Sequence, residues 1–319
     1  MRRPTAPSEE ARASPPVAVS AGARMKVADD DRRLARVLLA PSLLYIAALV
    51  GAPFVLALIY SLTSISLGGH TFNFVGLDNF QAALRDSSFR RALSNTVLFA
   101  FVSQILVLIL ATILAIALQR DFRGKWLVRF LILLPWVAPI SLGTIGWLWI
   151  LDSIYSVINW TLRAIHVFGP GTWPIWLGQP HLAMASIITV HVWRTLPLAT
   201  VILLGGLSGI PQDIHDAAEV DGAGFFRHMF QITLPLMLPI ALVATLFGFV
   251  FAFTDMIVVY VLTRGGPFDT TQVLASLAFY KSVDGGDLGG GAAIALFLLP
   301  VLAAAAVGML RMARRAEVV

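Results

Sequence analysis

Six long runs of apolar residues most constrain what this chain can fold into. Each run holds about 20 or more residues with few or no charges, which is the length that an α-helix needs to cross the hydrocarbon core of a bilayer. In a chain of 319 residues, 58% of them hydrophobic and 13% charged, these runs predict an all-α polytopic membrane protein with six transmembrane helices. The predicted helices cover residues 37–62, 94–118, 127–151, 181–207, 236–262 and 291–312.

The first 33 residues differ in composition from the rest. They are rich in proline, alanine, serine and charge, a composition that buries too little apolar surface to fold alone. We therefore expect a disordered tail over residues 1–33 and a membrane domain over residues 34–319. The chain has no cysteine, which excludes disulfides, thiolate metal sites and cysteine nucleophiles.

Most of the 23 lysines and arginines lie in the tail or at the ends of the apolar runs. A compact basic turn between the second and third runs is the clearest example; it contains Arg120, Arg123, Lys125 and Arg129. Cytoplasmic loops of membrane proteins carry such an excess of positive charge. We therefore expect this turn, both termini and the loop at 208–235 to be cytoplasmic. The basic residues lack the interleaved aromatics of a nucleic-acid site, so the lipid bilayer is the expected partner and nucleic acid is not.

The loop at 208–235 is too polar to lie in lipid. Ser208 is a candidate N-cap, Pro211 is expected in the first helical turn, and acidic residues follow it, as suits the positive end of a helix dipole. Gly222 and Gly224 should interrupt this helix, residues 225–232 should form a second helical piece, and Pro235 should mark the turn into the fifth span. The loop is then either an ordinary connection or a compact knob that enters a groove of another protein.

Three short motifs of this loop carry a resemblance to a known family. They are Asp216-Ala217-Ala218, Asp221-Gly222-Ala223 and Ile232-Thr233-Leu234-Pro235. Their order and spacing resemble the EAA loop in permease subunits of binding-protein-dependent ABC importers, in particular the sugar permeases of the MalF-like and trehalose types. Asp216 departs from the family pattern, which usually has glutamate there. Thr263 to Pro267, with Thr271 and Tyr280 beyond, also resembles the stretch that follows the fifth span in that group.

The resemblance implies a six-helix permease of a bacterial inner membrane with a cytoplasmic coupling helix. It implies four kinds of partner: a second homologous permease, two ATP-binding cassette subunits, an extracytoplasmic solute-binding protein and the lipid bilayer. No cofactor is expected on this chain, and ATP and magnesium would bind the partner ATPase subunits. The residues that would couple this chain to the ATPase are Asp216, Ala217, Ala218, Glu219, Asp221, Gly222, Arg227, Leu234 and Pro235.

Polar residues inside the apolar runs are candidates for the path of a solute. His191 and Arg194 are three residues apart on the fourth span, hence on one helix face, and Asp255 is expected well inside the fifth span. Because ionised groups in hydrocarbon are costly unless they are paired or wet, Arg194 and Asp255 either lock two helices together or line the path. A carbohydrate also needs hydroxyl-matching groups and flat apolar faces. Further candidates are Asn95, Gln104, Trp147, Asn159, Thr254 and Tyr260.

Catalytic motifs are missing from the sequence. Gly124-Lys125 is followed by tryptophan, and no phosphate-cradling loop ending in Gly-Lys-Ser/Thr occurs, so we expect no ATPase site on this chain. The six histidines have no metal-ligand spacing, and no metal is expected. The expected function is a permease subunit that imports a carbohydrate, for example a disaccharide such as trehalose. The alternatives are an ABC permease for another solute such as glycerol phosphate, an ion-coupled secondary transporter, and a membrane scaffold that transports nothing.

Overall fold

The computed structural model describes residues 21–69, 72–169 and 171–316, which fall into two compact units, Met1–Leu56 and Ala57–Val319. In the first unit, α1 (Ala21–Ile46) continues through the π-helical turn Ala47–Gly51 into α2 (Ala52–Ser61), which runs on into the second. The predicted disordered tail at 1–33 lies largely outside the described residues. Its last part is already helical from Ala21, in keeping with the strong helix propensity of the alanine, arginine, methionine and lysine found there.

The regular secondary structure in the described part of the second unit is also helical, apart from one isolated bridge between Thr63 and Phe74. Its first five helices are α3 (Asp78–Arg85), α4 (Ser87–Gln119), α5 (Lys125–Val137), α6 (Ile140–Ile150) and α7 (Val157–Ala164). The long helix α8 (Pro180–Ser208) is followed by α9 (Gln212–Val220), α10 (Phe225–His228), α11 (Leu234–Thr254) and α12 (Ile257–Leu262). The last helices are α13 (Leu274–Phe279), α14 (Leu288–Leu296) and α15 (Leu298–Ala316).

Helices α4, α8 and α11 form the centre of this unit, and α15 packs against α11. Small residues on α4, among them Ala100 and Ala111, are completely buried and let the neighbouring helices approach closely. Phe99 and Leu203 fill the space between the helices. Many large apolar side chains remain exposed on the outer faces, as a surface in contact with lipid requires.

The predicted six crossings are confirmed. Five are straight enough to count singly: Arg33–Ser61, Ser87–Gln119, Pro180–Ser208, Phe225–Thr254 and Leu288–Arg315. The pair α5 and α6, which meet at an angle of 98°, makes a sixth when the two helices are counted as one broken span. The bend follows from Pro139, because a proline disfavours helical geometry in the residue before it, and Ala138 is accordingly extended with ψ 140°.

Three details of the sequence prediction were wrong. Ser208 does not cap α9; it is the last residue of α8, and its hydroxyl donates to the Leu204 carbonyl at 2.9 Å. Pro235 does not begin a new direction, because the helix runs on through the π-helical turn Met229–Thr233, whose wider turn accommodates the ring. Asp255 does not lie within a continuous fifth span, since α11 ends at Thr254 and α12 starts two residues beyond Asp255.

Candidate functional site

A buried polar cluster lies where α8 meets the break between α11 and α12. His191 Nδ1 is 2.6 Å from the carboxylate oxygen Oδ2 of Asp255, and Arg194 Nη1 is 3.7 Å from the same oxygen. An ionised carboxylate only accepts hydrogen bonds, so with Asp255 ionised the Nδ1 atom of His191 carries the hydrogen. The structure thus brings together the three ionisable residues that the sequence singled out in spans four and five.

The three side chains of this cluster differ in solvent exposure. The side chains of His191 and Asp255 are 2% and 1% exposed, whereas that of Arg194 is 22% exposed. The ring of Phe99 packs edge-on against the imidazole, with ring centroids 4.8 Å apart. His191 and Asp255 therefore form a buried pair, while the side chain of Arg194 is partly exposed.

The helix break gives Asp255 its position. Its backbone is extended, with ψ 94°, so the chain leaves α11 and re-enters a helix at α12. Its second carboxylate oxygen accepts the amide N–H of Val258 at 3.2 Å, which satisfies one of the free donors at the start of α12. One carboxylate therefore both caps a helix and holds the imidazole on α8.

Two other candidates lie inside the helix bundle. Gln104 on α4 is 5% exposed, and its amide Nε2 has no hydrogen-bond partner among the described residues. A Cβ atom added at Gly248 on α11 would overlap this amide, so the glycine makes room for it. Trp147 on α6 packs edge-on against Trp193 on α8, with centroids 5.7 Å apart.

The four remaining candidates form hydrogen bonds or ring contacts with other residues of this chain. Asn95 donates to the carbonyls of Asp269 and Gln272 and so holds the loop after α12. Asn159 on α7 donates to the Pro174 carbonyl at 3.3 Å and accepts from the Trp176 indole at 2.9 Å, outside the six crossings. The other two are Thr254, whose hydroxyl donates to the Val250 carbonyl, and Tyr260, whose ring stacks on that of Tyr280.

The second candidate region is the surface element formed by α9, the glycine turn and α10. Gly222 has φ 71°, and the Ala223 N–H donates to the Ala218 carbonyl at 2.9 Å. This left-handed glycine after the helix end, with the bond that closes back over it, is a Schellman motif. Ala218 is buried beneath the turn, whereas the side chains of Asp216, Glu219 and Asp221 and the backbone of Gly222 face outward.

Apolar side chains surround this acidic face. Val220, Phe225, Phe226 and Phe230 are 88%, 60%, 74% and 63% exposed. Arg227 is exposed as well, and its Nε donates to the Gln231 amide oxygen at 3.1 Å rather than to a carboxylate. The element therefore presents apolar and acidic groups together on one exposed surface, which is formed by α9, the glycine turn and α10. Leu234 and Pro235, by contrast, lie in the first turn of α11.

Sequence reasoning missed two residues that hold this element together. His215 Nδ1 lies 2.9 Å from His228 Nε2, the two rings are stacked with centroids 4.9 Å apart, and His228 Nδ1 lies 3.2 Å from the Thr233 hydroxyl. This chain of contacts joins α9 to α10 and to the π-helical turn Met229–Thr233. The two histidines are thirteen residues apart and lie on different helices, so no helical repeat in the sequence could have indicated their contact.

Apolar crossings, a buried ionisable cluster and an exposed helical elbow together define a polytopic helical membrane protein. Comparisons with known proteins agree. The family model described as "Binding-protein-dependent transport system inner membrane component" matches residues 108–318. The chain belongs to that family.

Several relatives match over most of the chain. The sulfoquinovosyl glycerol transport system permease protein SmoG of Agrobacterium fabrum is 33% identical over 269 residues, which cover 84% of this chain and 86% of the relative. The trehalose/maltose transport system permease protein MalF of Thermococcus litoralis is 37% identical over 225 residues, 70% of this chain and 74% of the relative. A solved bacterial ABC transporter involved in the import of the acidic polysaccharide alginate shares the fold, with a TM-score of 0.78, 18% identity and coverage of 92% of this chain and 99% of that one.

Proposed function

We propose that this chain is the permease subunit of an ABC importer for a carbohydrate. The exposed elbow of α9 and α10 is the observation that carries the proposal, because a separate motor needs a rigid surface on the permease against which to push. In this proposal two ATP-binding cassette subunits, with their ATP and magnesium, dock there. A second permease completes the solute path, and an extracytoplasmic binding protein delivers the solute.

The elbow is suited to transmit movement rather than merely to bind. Its Schellman turn, its buried Ala218 and its histidine contacts to α10 fix it to the end of α11, whose other end reaches Asp255. A displacement of the elbow would therefore move a helix that ends at the buried cluster. Nucleotide would act by binding one arrangement of these helices better than the other. With the elbow and both termini on the cytoplasmic side, the basic turn at 120–129 lies there too.

Among solutes, the buried cluster favours a neutral carbohydrate over an anion such as glycerol phosphate. A phosphate group is best held by unpaired cations, but the Arg194 guanidinium already faces the Asp255 carboxylate. Arg194 is the member exposed enough to contact a solute, and His191 and Asp255 would position it. The names of the relatives support a carbohydrate of either charge, since trehalose and maltose are neutral whereas alginate is acidic. A disaccharide such as trehalose fits this proposal as one member of the class.

The docking role is tested by placing a charge on the elbow. Phe226→Asp should abolish copurification of the ATPase subunits from mild detergent, because it puts a carboxylate into an exposed apolar contact surface. The matched control is Phe268→Asp, since Phe268 is also highly exposed (85%) but lies in the loop after α12, at the other end of α11. ATPase subunits retained by the Phe226 variant as well as by the control would refute the docking role.

A second variant separates docking from coupling. Gly222→Asp should leave insertion into the membrane intact but abolish solute-stimulated ATPase activity in the assembled complex, because it adds a carboxylate to an exposed turn of the proposed docking surface. Uptake that depends on an ion gradient rather than on ATP would instead indicate a secondary transporter. Normal stimulation in the Gly222 variant would rule out coupling through this turn.

A further inference from the structure

A cleft of about 600 Å³ lies beside the elbow, where α8, α9, α11 and α15 meet. Gly205 from α8, Leu236 and Val243 from α11 and Leu310 from α15 contribute to its walls. Among the described residues that line it, Arg314 is the one that carries a charge. The cleft thus combines an apolar interior with one cation and is separate from the Asp255 cluster.

The helix directions give this cleft a definite polarity. The last turns of α8 and α15 and the first turns of α11 all lie at the end of the bundle that carries α9. Arg314 and Pro211 are therefore at the mouth. Val243 lies seven residues further along α11 than Leu236, which is about 10 Å deeper at the rise of an α-helix. The cation is at the level of the helix ends, and the apolar wall extends into the depth of the crossing segments.

Two features of the wall show that the described residues leave the cleft open. Leu236 and Leu310 remain 48% and 47% exposed, and a Cβ atom added at Gly205 would meet no atom within 4 Å. The last turns of α15 also carry Arg311 and Arg315, and no described carboxylate lies within salt-bridge distance of these two arginines or of Arg314. The guanidinium of Arg314 at the mouth of the cleft therefore has no salt bridge to a described carboxylate.

We propose that this cleft binds an anionic phospholipid. An acyl chain fits the apolar interior, and the headgroup phosphate lies at Arg314, where basic residues at the ends of crossing helices attract anionic headgroups. A protein partner is less suited to a cleft of about 600 Å³ that lies between crossing helices. Because Pro211 and Ile214 of the elbow also line the cleft, the bound lipid contacts the start of α9 and supports its position. This site stands whether or not the elbow docks an ATPase.

The test compares the binding of two lipids to the full chain by native mass spectrometry. Dioleoyl phosphatidylglycerol should bind about fivefold more tightly than dioleoyl phosphatidylcholine, the preference expected from one arginine near the headgroup. Arg314→Gln should remove this preference. Arg315→Gln, which removes an equal charge from the next residue of the same helix but does not line the cleft, should change it less than about twofold.

A steric variant tests the acyl-chain site independently. Val243→Trp should fill the cleft and weaken the binding of both lipids. Leu238→Trp, on the exposed side of α11 outside the cleft, should weaken the binding of neither lipid. Equal binding of the two lipids, equal effects of the two arginine variants, or displacement of phosphatidylglycerol by an equal concentration of inorganic phosphate would each overturn the proposal. In assembled complexes, a photoreactive phenylalanine at position 243 should cross-link to lipid, and cross-linking to a protein chain would also overturn it.

Discussion

The buried cluster around Asp255 and the exposed elbow of α9 and α10 are built on opposite principles. The cluster joins side chains 64 residues apart in sequence through a carboxylate that is 1% exposed. The elbow is made from consecutive residues, and most of its charged and aromatic groups face outward. The comparison teaches that changes in the cluster should cost folding stability first, whereas changes in the elbow should cost communication with partners first.

The largest expected effect on the free energy of unfolding comes from a substitution in the buried cluster. Asp255→Ala should lower the free energy of unfolding by about 3 kcal/mol, because it leaves His191 and Arg194 without their shared acceptor. The measurement is unfolding of the full chain in mixed detergent micelles. Thr254→Val is the control, since that exposed hydroxyl bonds to its own helix. Equal stability of the two variants would contradict the comparison.

Packing around Gln104 should give the next largest effect. Gly248→Ala places a Cβ atom on the Gln104 amide and should destabilise the chain by about 2 kcal/mol, as overpacking of a core does. The same substitution at Gly146 meets no atom within 4 Å and should be neutral or stabilising, because alanine favours a helix. Thermal unfolding of the two variants in one detergent checks this difference. If Gly146→Ala were the more harmful of the two, this account of helix packing would fail.

In the elbow, backbone strain should have a smaller and more local effect. Gly222→Ala should cost about 1 kcal/mol, since a residue with a Cβ atom at φ 71° is strained. Gly224→Ala has no such cost, because its φ is −65° and the space around it is open. Amide hydrogen exchange at Ala218 to Ala223 should become faster in the first variant alone. Equally fast exchange in both variants would show that the turn does not depend on the left-handed glycine.

The smallest expected effect on stability comes from the acidic face. Asp216→Asn should change the free energy of unfolding by less than about 0.5 kcal/mol, because Gln212 is the one hydrogen-bond partner of this exposed side chain among the described residues. Under the proposed function it should nevertheless reduce solute-stimulated ATPase activity. A stability loss as large as that of Asp255→Ala would remove the distinction between the two regions.

Continuous apolar segments were predictable because a helix in lipid must satisfy its backbone internally. The fourth span was expected at 181–207 and runs from Pro180 to Ser208. The glycine turn of the elbow was predictable for a similar reason, because the preference of glycine for positive φ acts locally. The N-cap at Ser208 was wrong because its hydroxyl has a closer partner in the helix that precedes it, the Leu204 carbonyl.

The break at Asp255 was not predictable from hydropathy. Residues 236–262 form one nearly uninterrupted apolar run, and the average over such a run does not reveal that one carboxylate caps a new helix. The packing around Gly143, Gly146 and Gly248 shows the same limit. Gly248 lies against Gln104 and Gly143 against Trp193, but Gly146 has open space. Which glycine has a neighbour depends on the rotation of each helix about its axis.

The sequence by itself determined that this chain crosses a membrane as six helices and that a glycine-bent polar elbow follows the fourth, because both depend on interactions within about one helical turn or with the solvent. Only the tertiary structure decided that His191 bonds to Asp255, that His215 meets His228, and that a cleft with Arg314 opens beside the elbow. Those contacts depend on how separate helices rotate and tilt against one another, and hydrophobic patterning specifies the face of a helix but not its partner.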